Sequence, residues 1–157
     1  MTIVLREVSR AAADAIIAGG RPSGVAVADD YPTEFSIGTA QVVGAEGQLG
    51  PFFLHRTDDD LVVGEIGGAL VGEGTIEIGY AVVRSQWNRG YATAAVEAFV
   101  AKAREEFAAR KIVAHAPLER PQSGRVLAKA GFTMAREIDD DDEQGGVVRV
   151  EEWELLL

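Results

Sequence analysis

The 157-residue sequence contains no cysteine, which excludes disulfide bonds, thiolate metal sites and a cysteine nucleophile. Its only two histidines, His55 and His115, are far apart in the chain, so no metal site is expected. No apolar run approaches the roughly 20 residues that a membrane-spanning helix needs. The N-terminus also lacks the basic and apolar segments of a signal peptide. We therefore expect a cytoplasmic protein that binds neither a metal nor a membrane.

Positive charge is scarce, with 15 Lys and Arg residues against 25 Asp and Glu residues and a net charge of −10. A negative field of this kind repels nucleic acid and attracts cationic partners. The acidity therefore fits an amine substrate, although it also has an ordinary explanation as a source of solubility. A hydrophobic fraction of 47% and a charged fraction of 25% are typical of a globular protein, and we expect one domain over residues 1–157.

Hydrophobic periodicity and turn residues predict an α/β fold. Strands are predicted at residues 2–8, 51–56, 61–70, 73–83, 111–116, 132–138 and 147–156. Helices are predicted at residues 9–17, 33–48, 91–110 and 121–130, and a turn at residues 139–146. This order implies a mixed sheet with helices on both faces.

The segment from Glu77 to Ala95 carries the strongest functional signal. An apolar strand ends before residues 84–88, and an alanine-rich helix begins after Gly90. The first amides of a helix have no internal partner, and the helix dipole makes that end electropositive, so the corner can bind an anion. Neither the Gly-Lys-Ser/Thr of a nucleotide P-loop nor a Gly-x-Gly-x-x-Gly fingerprint is present.

The corner resembles the acetyl-CoA pyrophosphate loop of the GNAT acyltransferase superfamily, whose pattern is Gln/Arg-x-x-Gly-x-Gly/Ala. Gly90, Tyr91 and Ala92 occupy its last three places, and Trp87 stands at the first, as is typical of the branch of ribosomal-protein N-terminal acetyltransferases. A second block from His115 to Phe132 is similar to the closing motif of the same branch. The positions that match the motif are Ser123, Arg125, Val126, Leu127, Lys129, Gly131 and Phe132. That motif's Asn is missing, with Arg120 or Pro121 in its place.

This resemblance implies a mixed, mostly antiparallel sheet of six to seven strands with helices on both faces. It implies acetyl-CoA as cosubstrate, its pantetheine arm paired with the backbone of the strand that precedes the loop. The implied cofactor-binding residues are Ala81, Val82, Val83, Asn88, Arg89, Gly90, Tyr91, Ala92, Thr93 and Ser123. The implied reaction is direct transfer of acetyl to a primary amine on a small molecule or on a peptide or protein N-terminus, by a monomer or a homodimer. The alternative is a non-catalytic acyl-CoA binding or sensing module.

Two residues are candidates for catalysis. Glu77, on the strand that leads to the loop, is the preferred base, with a cross-strand ion pair as its alternative role; Glu65 is the second choice. Ser123 corresponds to a serine near the CoA sulfur in the resembling branch, with a helix-capping role as its alternative. Leu127 stands where many members have a tyrosine acid. His115 is expected to be structural, and the acidic residues at 139–143 could attract a cationic acceptor.

Overall fold

A computed structural model describes residues 2–141 and 145–157. The strands are β1 (Ile3–Glu7), β2 (Gln48–Arg56), β3 (Val62–Gly72), β4 (Thr75–Val82), β5 (Lys111–Pro117), β6 (Thr133–Asp141) and β7 (Val147–Leu156). The helices are α1 (Arg10–Ile17), α2 (Glu34–Gln41), α3 (Tyr91–Glu106) and α4 (Pro121–Lys129), with a single 3-10 turn at Arg84–Gln86. None of the helices in these ranges is long and apolar enough to cross a membrane.

The strands form one seven-stranded sheet in the order β1-β2-β3-β4-β5-β7-β6. Every neighbouring pair is antiparallel except β4 and β5, which are parallel. A parallel pair needs a long crossover, and α3 supplies it between these two strands. The predicted mixed, mostly antiparallel sheet of six to seven strands is confirmed.

The parallel pair separates before either strand ends. Its register runs from Thr75 opposite Lys111 to Ile78 opposite Ala114. Strand β4 then continues for four residues to Val82, and β5 continues for three residues to Pro117. The two strands therefore leave an opening between them, which we call the gap, and its narrow end lies at the Ile78–Ala114 pair.

Helices cover both faces of the sheet, as predicted. On one face, α3 buries Val96 and Phe99 against apolar strand residues that include Ile76 and Ile112. Burial of each such side chain stabilises the fold by about 1.5–3 kcal/mol. Close packing explains Gly68 of β3, because an added Cβ would lie 2.8 Å from the Phe99 ring. Helix α1 and the segment around Tyr31 form a second core on the opposite face with Phe53 and Val62.

Four predicted boundaries were wrong by more than two residues. Strand β2 begins at Gln48 and not at residue 51. The helix expected at residues 33–48 ends at Gln41, because Gly44 and Gly47 adopt φ values of +81° and +80° and lead into β2. The helix expected to reach Arg110 ends at Glu106, where the next residue becomes extended. The turn expected at residues 139–146 begins later, because β6 stays paired with β7 as far as Asp141. Residues 142–144 lie outside the described ranges.

Candidate active site

The N-terminal end of α3 has no capping side chain. Gly90 is its N-cap residue, with a left-handed φ of +81°, and the first hydrogen bond to it comes from the amide of Ala94. Within residues 2–141 and 145–157, no backbone group accepts a hydrogen bond from the amides of residues 88–93. The first turn also contains no acidic side chain. This end of the helix can therefore bind an anion with N–H groups and with its dipole.

A groove of about 600 Å³ starts at this uncapped end. Gly90 and Thr93 line its beginning, and Glu97 and Ala101 line it further along α3. Lys129 of α4 also borders the groove and brings a positive charge to it. An added Cβ at Gly90 would meet no atom within 4 Å, so the strain of its backbone conformation, and not a lack of space, makes glycine suitable there.

The backbone of β4 uses one side for pairing with β3 and leaves the other side to the gap. Ala81 lies opposite Glu65 in the β3 register, and the amide of Val83 donates to the carbonyl of Val63 at 2.9 Å. Because antiparallel strands bond through alternate residues, the N–H and C=O groups of Tyr80 and Val82 face the gap. The carbonyl of Val82 accepts a hydrogen bond of 2.7 Å from Nε1 of Trp87.

Ser123 lies in the first turn of α4, beside β4. Its amide donates to the carbonyl of Arg120 at 3.1 Å, and its side chain is half-buried. The hydroxyl of Tyr80 reaches across from β4 to the carbonyl of Ser123 at 3.4 Å. Burial raises the pKa of Tyr80 to about 12, so this phenol stays protonated at neutral pH. The phenol of Tyr80 and the backbone of Ser123, which belong to two different elements, therefore meet beside the gap.

Glu77 lies at the narrow end of the gap, on the face that does not carry α3. It pairs with Val113 in the parallel register, and its carboxylate lies 3.3 Å from Nδ1 of His115. The Glu77 side chain is 40% exposed, so solvent and a substrate can reach it. Nδ1 of His115 is also 3.1 Å from Asp140, and Nε2 is 3.1 Å from Glu152.

Glu65 occupies a different environment from Glu77. It is 1% exposed, and neither carboxylate oxygen makes a hydrogen bond of standard geometry within the described residues. Burial raises the pKa of Glu65, and the nearby hydroxyls of Tyr31 and Ser36 counteract this only in part. Of these two carboxylates, that of Glu77 is open to solvent and that of Glu65 is not.

Two features of this site were not predicted from the sequence. No role was predicted for Tyr80, and the cross-strand ion pair given above as the alternative role of Glu77 was predicted without its partner, which is the imidazole of His115. Strand alternation was an available signal, since His115 and Val113 share a face of β5 and Val113 lies beside Glu77. The contacts of His115 with β6 and β7 had no signal in the local sequence. Within the described residues there is no cluster of three or more side chains suited to a metal ion.

Comparisons with known proteins identify the fold and the family. The sequence pattern of the acetyltransferase (GNAT) domain matches residues 3–133. A search of curated protein sequences gives no significant match. Among solved structures, a GNAT-family acetyltransferase from Bacillus anthracis is 19% identical, with a TM-score of 0.71, and the match covers 99% of this chain and 95% of that one.

Two proteins from Vibrio cholerae have similar folds. A spermidine/spermine N-acetyltransferase, SpeG, is 12% identical with a TM-score of 0.71, over 99% of this chain and 92% of that one. A protein provisionally assigned as a ribosomal-protein-serine acetyltransferase is 13% identical with a TM-score of 0.74, over 100% of this chain and 95% of that one. At these identities the likeness concerns the fold, whereas the domain pattern covers most of the sequence. The chain therefore belongs to the GNAT acetyltransferase family and is an acyltransferase.

Proposed function

We propose that this protein transfers the acetyl group of acetyl-CoA directly to a primary amine while both substrates are bound. The observation that carries the proposal is the gap between β4 and β5, which opens beside the uncapped N-terminal end of α3. An elongated molecule with a diphosphate can bind that helix end and extend its arm into the gap. Acetyl-CoA has this shape and charge.

The backbone at residues 88–93 would hold the diphosphate. Its amides have no partner among the backbone groups described, and Arg89 is exposed beside them, so both hydrogen bonds and charge favour an anion. The groove along α3 gives the rest of the nucleotide a place to bind, with Lys129 near enough to attract a phosphate.

The pantetheine arm would pair with the free edge of β4. The alternation of the strand makes Tyr80 and Val82 the residues whose N–H and C=O groups face the arm. Ala81 and Val83 direct their backbone groups towards β3, and the side chain of Val83 is buried in the second core, so neither backbone would pair with the arm. This arrangement resembles the addition of a strand to a sheet edge.

In the transfer step, the neutral amine nitrogen attacks the thioester carbonyl carbon, the C–N bond forms and the C–S bond breaks. Glu77 accepts the proton that the amine loses, directly or through a water molecule. The amide of Val82 faces the gap and can stabilise the oxyanion. The CoA thiolate takes a proton from the hydroxyl of Ser123 or Tyr80, which solvent restores. The chain contains no cysteine to form an acyl-cysteine intermediate, and this favours direct transfer.

The donor site is tested by placing a carboxylate at the uncapped helix end. Ala92→Glu should weaken acetyl-CoA binding by at least tenfold in calorimetry, because the new charge repels the diphosphate and competes for the same amides. Ala11→Glu is the matched control, since it adds the same charge to the first turn of α1, whose amide at Ala12 is already bonded to Ser9. Equal affinity of the two variants would contradict the proposed donor site.

Acetyl transfer itself is tested by thiol release from acetyl-CoA with a panel of amines. The structural neighbours are described as acting on spermidine or on a ribosomal protein, so the panel contains spermidine, a peptide with a free α-amine and an Nα-blocked lysine peptide. An α-amine, with an ordinary pKa near 8, needs less help from a base than a lysine side chain, with a pKa near 10.4. Tight binding of acetyl-CoA without transfer to any of these amines would instead indicate the acyl-CoA binding module.

A further inference from the structure

His115 is held by carboxylates from three other strands. Asp140 of β6 and Glu77 of β4 lie on its Nδ1 side, at 3.1 Å and 3.3 Å, and Glu152 of β7 lies 3.1 Å from Nε2. Glu152 is held in turn by Nε of Arg136, at 3.1 Å. We call these five side chains the His115 cluster.

The geometry of the cluster determines the charge of the imidazole. A carboxylate only accepts hydrogen bonds, so both ring nitrogens must carry a proton if His115 is to bond Asp140 and Glu152 at once. Burial lowers the pKa of His115, but its hydrogen bonds to Glu152 and Asp140 and the charge of Glu77 outweigh burial, and the pKa is raised above 6.5. When both hydrogen bonds are made, the imidazole is a cation held among three carboxyl groups.

The position of the cluster links it to the reaction. On β5, His115 is the first residue beyond the last pair of the parallel register, so its side chain lies at the narrow end of the gap. Among residues 2–141 and 145–157, the charged groups that contact His115 are Glu77, Asp140 and Glu152, and Arg136 lies behind Glu152. Without a cation at this place, the three carboxylates would repel one another and Glu77 would turn away towards solvent.

We propose that His115 is a positioning residue for acetyl transfer, whose imidazolium holds the carboxylate of Glu77 at the narrow end of the gap. This inference rests on the proposed function, in which Glu77 accepts the proton of the amine. The strands supply the rigid support, because Asp140 of β6 holds the ring at Nδ1 and Glu152 of β7 holds it at Nε2. His115 thus acts through Glu77 and does not itself exchange a proton with the substrate.

The test compares His115→Gln, which removes the charge, with His115→Lys, which keeps it. With acetyl-CoA and a peptide α-amine near pH 6.5, we expect kcat of H115Q to fall by about tenfold, with KM for acetyl-CoA changed less than twofold. H115K should recover a substantial part of kcat. The matched control is His55→Asn, because His55 lies on β2, which β3 and β4 separate from β5, and contacts Asp60 and not Glu77. H55N should keep the wild-type kcat.

A pH series separates positioning from a structural effect. Titration of the amine affects both proteins equally, so it cancels in the ratio of wild-type kcat to H115Q kcat. This ratio should fall towards one as pH rises through the pKa of His115, where the imidazolium loses its proton. NMR titration of the His115 ring, assigned with H55N, gives that pKa independently. A ratio that stays constant with pH would overturn the proposal, because a merely structural residue gives that result.

Glu77→Gln in the same assay distinguishes a failure of the positioning role of His115 from a failure of the proposed function. If E77Q loses activity while H115Q keeps the wild-type kcat at every pH, the positioning role is overturned and the proposed function stands. If E77Q itself keeps the wild-type kcat, Glu77 is not the base and the positioning role is overturned with it, although acetyl transfer remains. An inactive wild-type protein that binds acetyl-CoA would overturn both proposals.

Discussion

Nε1 of Trp87 donates a hydrogen bond of 2.7 Å to the carbonyl of Val82, the backbone group that faces the gap. The guanidinium of Arg84 lies over the ring of the same indole, 5.5 Å from its centre. Trp87 therefore occupies, in the free protein, a carbonyl with which the pantetheine arm would pair. Binding of acetyl-CoA would have to displace or share this bond.

We predict that Trp87→Phe binds acetyl-CoA about fivefold more tightly, because a hydrogen bond of about 1 kcal/mol no longer opposes the ligand. Calorimetry measures the change. Trp153→Phe provides a companion experiment, since it leaves Trp87 as the single tryptophan of the two in the sequence. In W153F, acetyl-CoA should shift the fluorescence emission of Trp87. The prediction would be contradicted if W87F bound acetyl-CoA more weakly than the wild type, because the indole would then assist binding.

A second prediction concerns Glu65 and pH. Because burial raises the pKa of Glu65 in the folded state, this carboxyl favours folding below its unfolded pKa, near 4.5, and that contribution is lost as pH rises through the folded pKa. Glu65→Gln removes this titration. Urea denaturation should therefore show E65Q more stable than the wild type at pH 8, with the difference disappearing near pH 4.

The control for this series is Glu97→Gln, which removes one negative charge from an exposed position on α3. A stability gap between E65Q and the wild type that is the same from pH 4 to pH 8 would show that the carboxyl does not titrate as the structure indicates.

Two glycines should respond to alanine in opposite directions. At Gly64 of β3 an added Cβ would overlap the carbonyl oxygen of Ala81 in the neighbouring strand, so Gly64→Ala should lower the free energy of unfolding by about 3 kcal/mol. At Gly38, inside α2, an added Cβ would meet no atom within 4 Å, so Gly38→Ala should raise the free energy of unfolding by about 0.5–1 kcal/mol. Urea denaturation of both variants checks the signs, and a neutral G64A would mean that β3 and β4 separate easily.

The catalytic assignments predict loss of transfer without loss of donor binding. Glu77→Gln keeps the shape of the side chain and removes its basicity, so kcat should fall by about 100-fold at saturating amine. Ser123→Ala and Tyr80→Phe should each lower kcat less than the double variant does, if their hydroxyls both serve the leaving thiolate. Calorimetry with acetyl-CoA should give wild-type affinity for E77Q, and a large loss of affinity would assign Glu77 to binding.

The sequence predicted the elements that local patterns determine. The start of α3 after Gly90 and the strand before it were correct, because a positive-φ glycine between a β-rich run and an alanine-rich run marks the boundary. The end of α2 was placed too late, because Ala, Val and Phe suit either state, and Gly44 and Gly47 decided the outcome. Helix propensity is only weak evidence for a helix, and glycines of this kind outweigh it.

The arrangement of the site depended on contacts that no local pattern records. The contact of Glu77 with His115 requires the parallel register of β4 and β5. The contacts of His115 with Asp140 and Glu152 require β7 to lie between β5 and β6. The bond from Trp87 to Val82 depends on the 3-10 turn that brings the indole back over β4. A single sequence therefore indicates which residues belong to the site more readily than it indicates their partners.

The early separation of β4 from β5 leaves backbone groups of both strands, in the middle of the sheet, without a neighbouring strand to bond. A donor molecule that bonds to them would contribute to folding as well as to catalysis, because it binds the native chain and not the unfolded one. At a concentration 100 times its Kd, such a ligand adds about 2.7 kcal/mol to the free energy of unfolding. The resistance of this enzyme to heat and proteolysis should therefore follow the supply of its acyl donor.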